Sequence, residues 1–125
     1  MKYNKYGNKK TQIDGYTFDS KAEAARYKEL KLLQASGDIK ELELQPEFTL
    51  IPAQKINSKL QGKITERAVK YKADFAYKQL VPFTEPKEWV DVVEDVKGMK
   101  TKEYIIKRKL FRQLYTEIEF REVER

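Results

Sequence analysis

The sequence contains no cysteine and no histidine. Without cysteine there is no disulfide framework and no thiolate zinc site, and an intracellular compartment is compatible with that absence. Without histidine the commonest general base and metal ligand is missing, so chemistry must run on carboxylates, lysines, hydroxyls and bound metal. Long apolar runs are lacking too: none approaches the ~18 residues of a transmembrane helix. The opening MKYNKYGNKK is basic without the apolar segment of a signal peptide. There is no internal repeat and no low-complexity tract. These absences lead us to expect a soluble, cytoplasmic protein with no membrane partner.

What is abundant is charge. Twenty-six Lys and Arg against 20 Asp and Glu give +6 over 125 residues. A basic excess of that size favours a polyanionic partner, nucleic acid before membrane, with solubility as the plain alternative. The length favours a single domain, expected over residues 13–125, preceded by a flexible basic arm over residues 1–12.

Asp14-Gly15 reads as a turn between short extended pieces, and a helix follows from about Ser20 to Ala35, ended by Gly37. The span from Ile39 to Ile51 alternates as a strand with a break at Pro46, and Asn57 to Gly62 reads as a mobile polar loop. In AVKYKADFAYKQL, a single strand would place Tyr71, Ala73, Phe75 and Tyr77 on one face, with Lys70, Lys72 and Asp74 on the other. In EWVDVVEDVKG, Val90, Val92, Glu94 and Val96 share one face, and Trp89, Asp91, Val93, Asp95 and Lys97 share the other. Thr101 can cap a second helix to about Thr116, whose apolar arc holds Tyr104, Ile106, Leu110, Phe111, Leu114 and Tyr115 with Lys107 in its middle. EIEFREVE can form a last strand. The expected fold class is α/β: a central mixed sheet of about four strands flanked by helices, in the order helix, three strands, helix, strand.

Asp95 and Lys97, two apart on a strand, project from one face, and Asp74 lies on the preceding strand. If those strands pair in register, two carboxylates and an ammonium meet at one end of a sheet. Hydrolysis of a phosphodiester with a divalent metal calls for that grouping, because hard carboxylate oxygens hold Mg²⁺ while waters and a phosphate oxygen complete its shell. Singly, each residue has a plainer explanation. Asp74, and Asp95 with Lys97, could be solvated ion pairs; Glu23 completes a Ser20-x-x-Glu23 capping box; Lys107 could snorkel from the core. Glu94 would fall on the valine-lined face, where it needs a partner.

The order of these residues resembles the PD-(D/E)XK nuclease superfamily, which includes restriction endonucleases, phage-type Holliday-junction resolvases and transposon-encoded nucleases. Its motif, an Asp on one strand and then acid-x-Lys on the next, is matched by Asp74 in YKADF and Asp95-Val96-Lys97 in VEDVKG. Glu23 in FDSKAEAARY matches the helical glutamate of resolvase-like members. With Gln45-Pro46-x-Phe48 and the KRKL helix, the chain resembles small phage and prophage proteins of that superfamily over roughly residues 6–120. Ala73 stands where the superfamily has a proline.

The resemblance implies a PD-(D/E)XK core and a Mg²⁺-dependent DNA endonuclease, with Mn²⁺ able to substitute. Branched, Holliday-junction-like DNA in phage recombination or replication is the implied substrate, cut in the host cytoplasm if the protein is phage-encoded. Asp74, Asp95, the Val96 carbonyl and Glu23 would bind metal, Lys97 would position the attacking water, and Lys107 would reach the scissile phosphate. Lys100, Lys102, Arg108 and Lys109, with Lys2, Lys5, Lys9 and Lys10 of the arm, would contact flanking phosphates. Paired symmetric cuts would require a homodimer. The competing expectations are a non-catalytic nucleic-acid-binding protein of the same fold and an adaptor whose charges only solubilise it.

Overall fold

The computed structural model describes residues 10–124. Lys2, Lys5 and Lys9 of the expected arm lie outside the described residues, and Thr11 and Gln12 belong to a strand.

That strand, β1 (Thr11–Ile13), pairs antiparallel with β2 (Tyr16–Phe18). Asp14 and Gly15 both take positive φ, 53° and 80°, the conformation a two-residue hairpin turn needs and an Asp-Gly pair tolerates. Helix α1 (Lys21–Ser36) starts where the Ser20 hydroxyl accepts the Glu23 N–H at 3.1 Å. It stops at Gly37, whose left-handed φ of 88° turns its N–H back to the Gln34 carbonyl.

The central sheet runs β10 (Glu119–Glu124), β9 (Trp89–Lys97), β8 (Phe75–Leu80), β3 (Ile39–Leu44). β3, β8 and β9 pair antiparallel, whereas β10 lies parallel to β9. A parallel neighbour requires a crossover, which α2 (Lys102–Leu114) supplies. The protein is therefore α/β, with a mixed multi-strand sheet and two helices. No helix among the described residues is long and apolar enough to cross a membrane.

One sheet face packs under α1, where Val92, Phe75 and Tyr77 meet Phe18, Ala24, Tyr27 and Leu30. The other packs under α2, where Val93 and Tyr71 meet Tyr104 and Phe111. Phe111, fully buried, sits among Phe48, Tyr71, Tyr115 and Phe120 with ring centroids 4.9–5.8 Å away. Because β9 is covered on both sides, four successive residues, Val92 to Asp95, are buried.

Between β3 and β8 the chain makes a long ribbon that leaves the sheet. Its inner half is β4 (Glu47–Ile51) against β7 (Val69–Lys72), and its outer half is β5 (Gln54–Ser58) against β6 (Gly62–Glu66). The expected polar loop over 57–62 is thus the end of a β-hairpin.

Two further expectations are corrected here. The strand through Ala73 and Asp74 is broken at those residues, so Tyr71 and Ala73 face the α2 cluster while Phe75 and Tyr77 face the α1 cluster. On α2 the buried residues are Tyr104 and Phe111, one heptad apart, whereas Ile106 and Leu114 are more than half exposed. The expected arc was rotated: Lys107 lies on its flank, ion-paired with Glu103 at 3.1 Å one turn earlier.

Candidate active site

The strand break positions the first acid. Gln45-Pro46 interrupts β3/β4 opposite Ala73-Asp74, and the two breaks are bonded together. The Ala73 N–H donates to the Pro46 carbonyl at 3.0 Å, and the Gln45 N–H donates to the Asp74 carbonyl at 2.9 Å. A proline at 73 would have no N–H to give, so the alanine there has a structural role. The Asp74 N–H reaches the Glu94 carbonyl at 3.2 Å, and its Oδ2 accepts the Val96 N–H at 2.7 Å. Asp74 is thereby fixed against β9 beside Asp95.

Asp95 is 1% exposed. Its Oδ2 accepts the Tyr71 hydroxyl, and its Oδ1 lies 2.8 Å from Lys97 Nζ, in ion-pair contact but out of alignment for a hydrogen bond. The Lys97 ammonium also sits 4.6 Å over the Tyr104 ring. Glu23, buried on the first turn of α1, faces the same cluster.

The electrostatics record the crowding. Burial, reinforced by the Asp95 and Glu23 charges, pushes the Asp74 carboxyl up to about 8. Burial, with the Asp19 and Asp95 charges, pushes Glu23 up to about 7. Burial, then the adjacent Asp95 charge, raises the Tyr71 phenol far above its ordinary range. Three acids thus share one region with a single close ammonium, and like charges so placed resist joint ionisation.

A cleft of about 290 Å³ opens above this cluster, lined by Lys70, Tyr71, Lys72, Lys97, Tyr104 and Lys107 among others. Lys107, placed from sequence on the second helix, borders the same cleft as Lys97. The remaining basic residues divide. Lys10, Lys102 and Lys109 are exposed. Lys100 and Arg108 are bound to Glu122, at 2.9 Å for Lys100, and both rest against β10. Burial alone would raise Glu122, but hydrogen bonds from Arg108, Lys100 and Tyr104 outweigh it and hold its carboxyl at about 2. Those two cations are spent within the protein and are poor candidates for free phosphate contacts.

Sequence reasoning missed three participants. Tyr71 reads as a core aromatic, yet its hydroxyl donates to Asp95 Oδ2. Arg26 and Tyr77 answer the need of Glu94, which is fully buried. The Arg26 guanidinium donates to both of its carboxylate oxygens, and the Tyr77 hydroxyl donates to Oε2 at 2.6 Å. Arg26 stands one turn beyond Glu23 on α1, and that spacing was the available signal.

A family model described as a protein of unknown function (DUF1064) matches residues 3–125. The chain belongs to that family. No curated protein and no solved structure matches this DUF1064 chain.

The donor set suits a hard divalent cation. Among the described residues no group of three or more His, Cys, Asp or Glu is arranged to hold a metal ion. Asp74 and Asp95 offer two carboxylates, and Mg²⁺ is commonly held by one or two, with waters and substrate phosphate filling its shell. The buried Asp95 Oδ1 without a hydrogen bond is the atom that such a cation would satisfy.

Proposed function

We propose that this DUF1064 chain is a metal-dependent DNA endonuclease with a PD-(D/E)XK-type site. The observation that carries the reading is Asp95: a fully buried carboxylate with one oxygen lacking a hydrogen bond, close enough to Asp74 and Glu23 for its charge to raise both. A purely structural site would satisfy both oxygens of such a buried carboxylate with hydrogen bonds, as the Glu94 site does.

Asp74 and Asp95, with the Val96 carbonyl, would hold Mg²⁺ or Mn²⁺, and Glu23 would join through a water. When bound, the cation supplies a more acidic water and charge neutralisation at the phosphate. The chain's own groups do the rest. The Tyr71 hydroxyl fixes the Asp95 rotamer. Lys97 orients the attacking water and stabilises the developing negative charge, which its fixed place between Asp95 and the Tyr104 ring favours. Lys72 attracts the substrate backbone to the cleft mouth, with Lys107 and Lys70, which share their charge with the exposed Glu103 and Glu47, beside it. In the metal-free protein Glu23 and Asp74 are raised toward neutrality, so Asp74 would give up its proton when the cation binds.

The leading substrate is branched DNA, and paired cuts in a four-way junction would call on a homodimer. The test is incubation of end-labelled junction, flap, linear duplex and single strand with Mg²⁺ or Mn²⁺. Wild type is expected to give product and Asp95→Asn none; equal product from both would remove Asp95 from the chemistry.

A further inference from the structure

The outer half of the ribbon has no role in the site as described, and its surface is unlike the rest of the molecule. Every residue of β5 and β6 except Ser58 and Ile64 is exposed, and no residue of either strand belongs to the two core clusters. A two-stranded hairpin with a single apolar pair, Ile56 opposite Ile64, gains little from its own packing. At its end Leu60 is 97% exposed, in a turn closed by Gly62 at φ 80° and by the Gln61 N–H on the Ser58 hydroxyl. Folding stability gives no reason to extend such an arm.

Its charge does. Residues 54–67 carry Lys55, Lys59, Lys63 and Arg67 against Glu66 alone, a net of 4 − 1 = +3. Among the described residues none of these four cations makes an ion pair, in contrast to Lys100 and Arg108. Register places Lys55 and Asn57 of β5 beside Thr65 and Lys63 of β6 on one face, with Ile56 and Ile64 on the other. One side of the ribbon is therefore a strip of donors and unpaired ammonium groups. The arm is also continuous with the site: β6 runs into β7, which supplies Tyr71 to Asp95 and Lys70 and Lys72 to the cleft. From Lys72 out to Gly62 is ten residues, at most about 33 Å at ~3.3 Å each, close to one turn of B-DNA.

We propose that the β5–β6 hairpin is a DNA-grasping arm that lies against the duplex flanking the site. Lys55, Lys59 and Lys63 bind backbone phosphates, and Leu60 makes the apolar contact at the tip. The major groove admits a two-stranded ribbon of this kind, and phosphate contacts from it set register rather than sequence. This inference rests on reading the chain as a protein that acts on DNA, but it does not require hydrolysis.

The experiment is fluorescence anisotropy of a labelled linear duplex in EDTA across a salt series. It compares wild type, the triple variant Lys55→Ala/Lys59→Ala/Lys63→Ala, and Leu60→Ser, with melting curves to show that each is folded. The triple variant is expected to bind about tenfold or more weakly and to lose about 2–3 from the slope of log K against log salt, ~0.9 per phosphate contact. Leu60→Ser is expected to weaken binding with the slope unchanged. Wild-type affinity and slope in the triple variant would overturn the arm, even if DNA cleavage were established. Loss of binding in that variant would uphold the arm, even if no substrate were ever cut. No duplex binding by wild type would overturn it in favour of an acidic protein partner.

Discussion

Glu94 and Asp95 are neighbours on one strand and equally buried, yet their surroundings are opposite in kind. Glu94 faces α1 and is satisfied: a guanidinium across both oxygens, a phenol on one, and Tyr77 in turn bonded to Arg121 at 2.9 Å. Asp95 faces α2 with a phenol on one oxygen, a misaligned ammonium beside the other, and two more acids close enough to raise one another's pKa. Alternation of side chains along a strand is what allows one dipeptide to serve both purposes. The lesson is that burial alone does not mark a functional acid. The mark is burial with the hydrogen-bonding left incomplete.

The largest effect expected from breaking this contrast is on the satisfied side. Glu94→Gln leaves Arg26 with only the half-exposed Glu29, at 2.8 Å, as its counter-charge and should cost roughly 3 kcal/mol, read from urea unfolding. On the other side, Lys97→Met should lower kcat by about 10²–10³, the usual loss when one charge-stabilising donor is removed, and should also destabilise the metal-free fold by taking the one close ammonium from the buried Asp95.

The third expectation has the opposite sign to the first. A carboxyl raised in the folded state stays protonated after its unfolded counterpart has ionised. Stability is therefore lost as pH climbs from the ordinary carboxylate range through about 8. Asp74→Asn, measured without metal, should accordingly melt higher than wild type, by a margin that widens from pH 5 to pH 9. A margin that stayed flat with pH would mean that Asp74 ionises freely. The smallest effect is at the cleft rim, where Lys107 shares its charge with the exposed Glu103: Lys107→Ala should raise KM by under about tenfold and leave melting unchanged.

Much of this was legible in the sequence, and for local reasons. Ser20-x-x-Glu23 and Gly37 delimit α1 because caps are short-range chemistry, and the Asp14-Gly15 turn is set by its own φ preferences. Asp95 and Lys97 could be placed on one face from strand alternation alone, whereas joining Asp74 to them took an assumed strand pairing and the motif order. The break at Ala73-Asp74 could not be read, because the apolar pattern continues through it and only the facing break at Gln45-Pro46 shows why the chain changes face. The β5–β6 hairpin was hidden by having almost no apolar residues, the signal by which strands are read. Arg26 was missed because its partner lies 68 residues away in the chain, a pairing that only the tertiary fold makes.

The central claim is that the Asp95 side of β9 is a cation site and the Glu94 side is not. Calorimetric titration of Mn²⁺ into wild type, Asp95→Asn and Glu94→Gln tests it most directly, under conditions where circular dichroism shows all three folded. The account predicts saturable binding by wild type and Glu94→Gln that Asp95→Asn loses. Equal binding by wild type and Asp95→Asn, or none by wild type with DNA present, would contradict it.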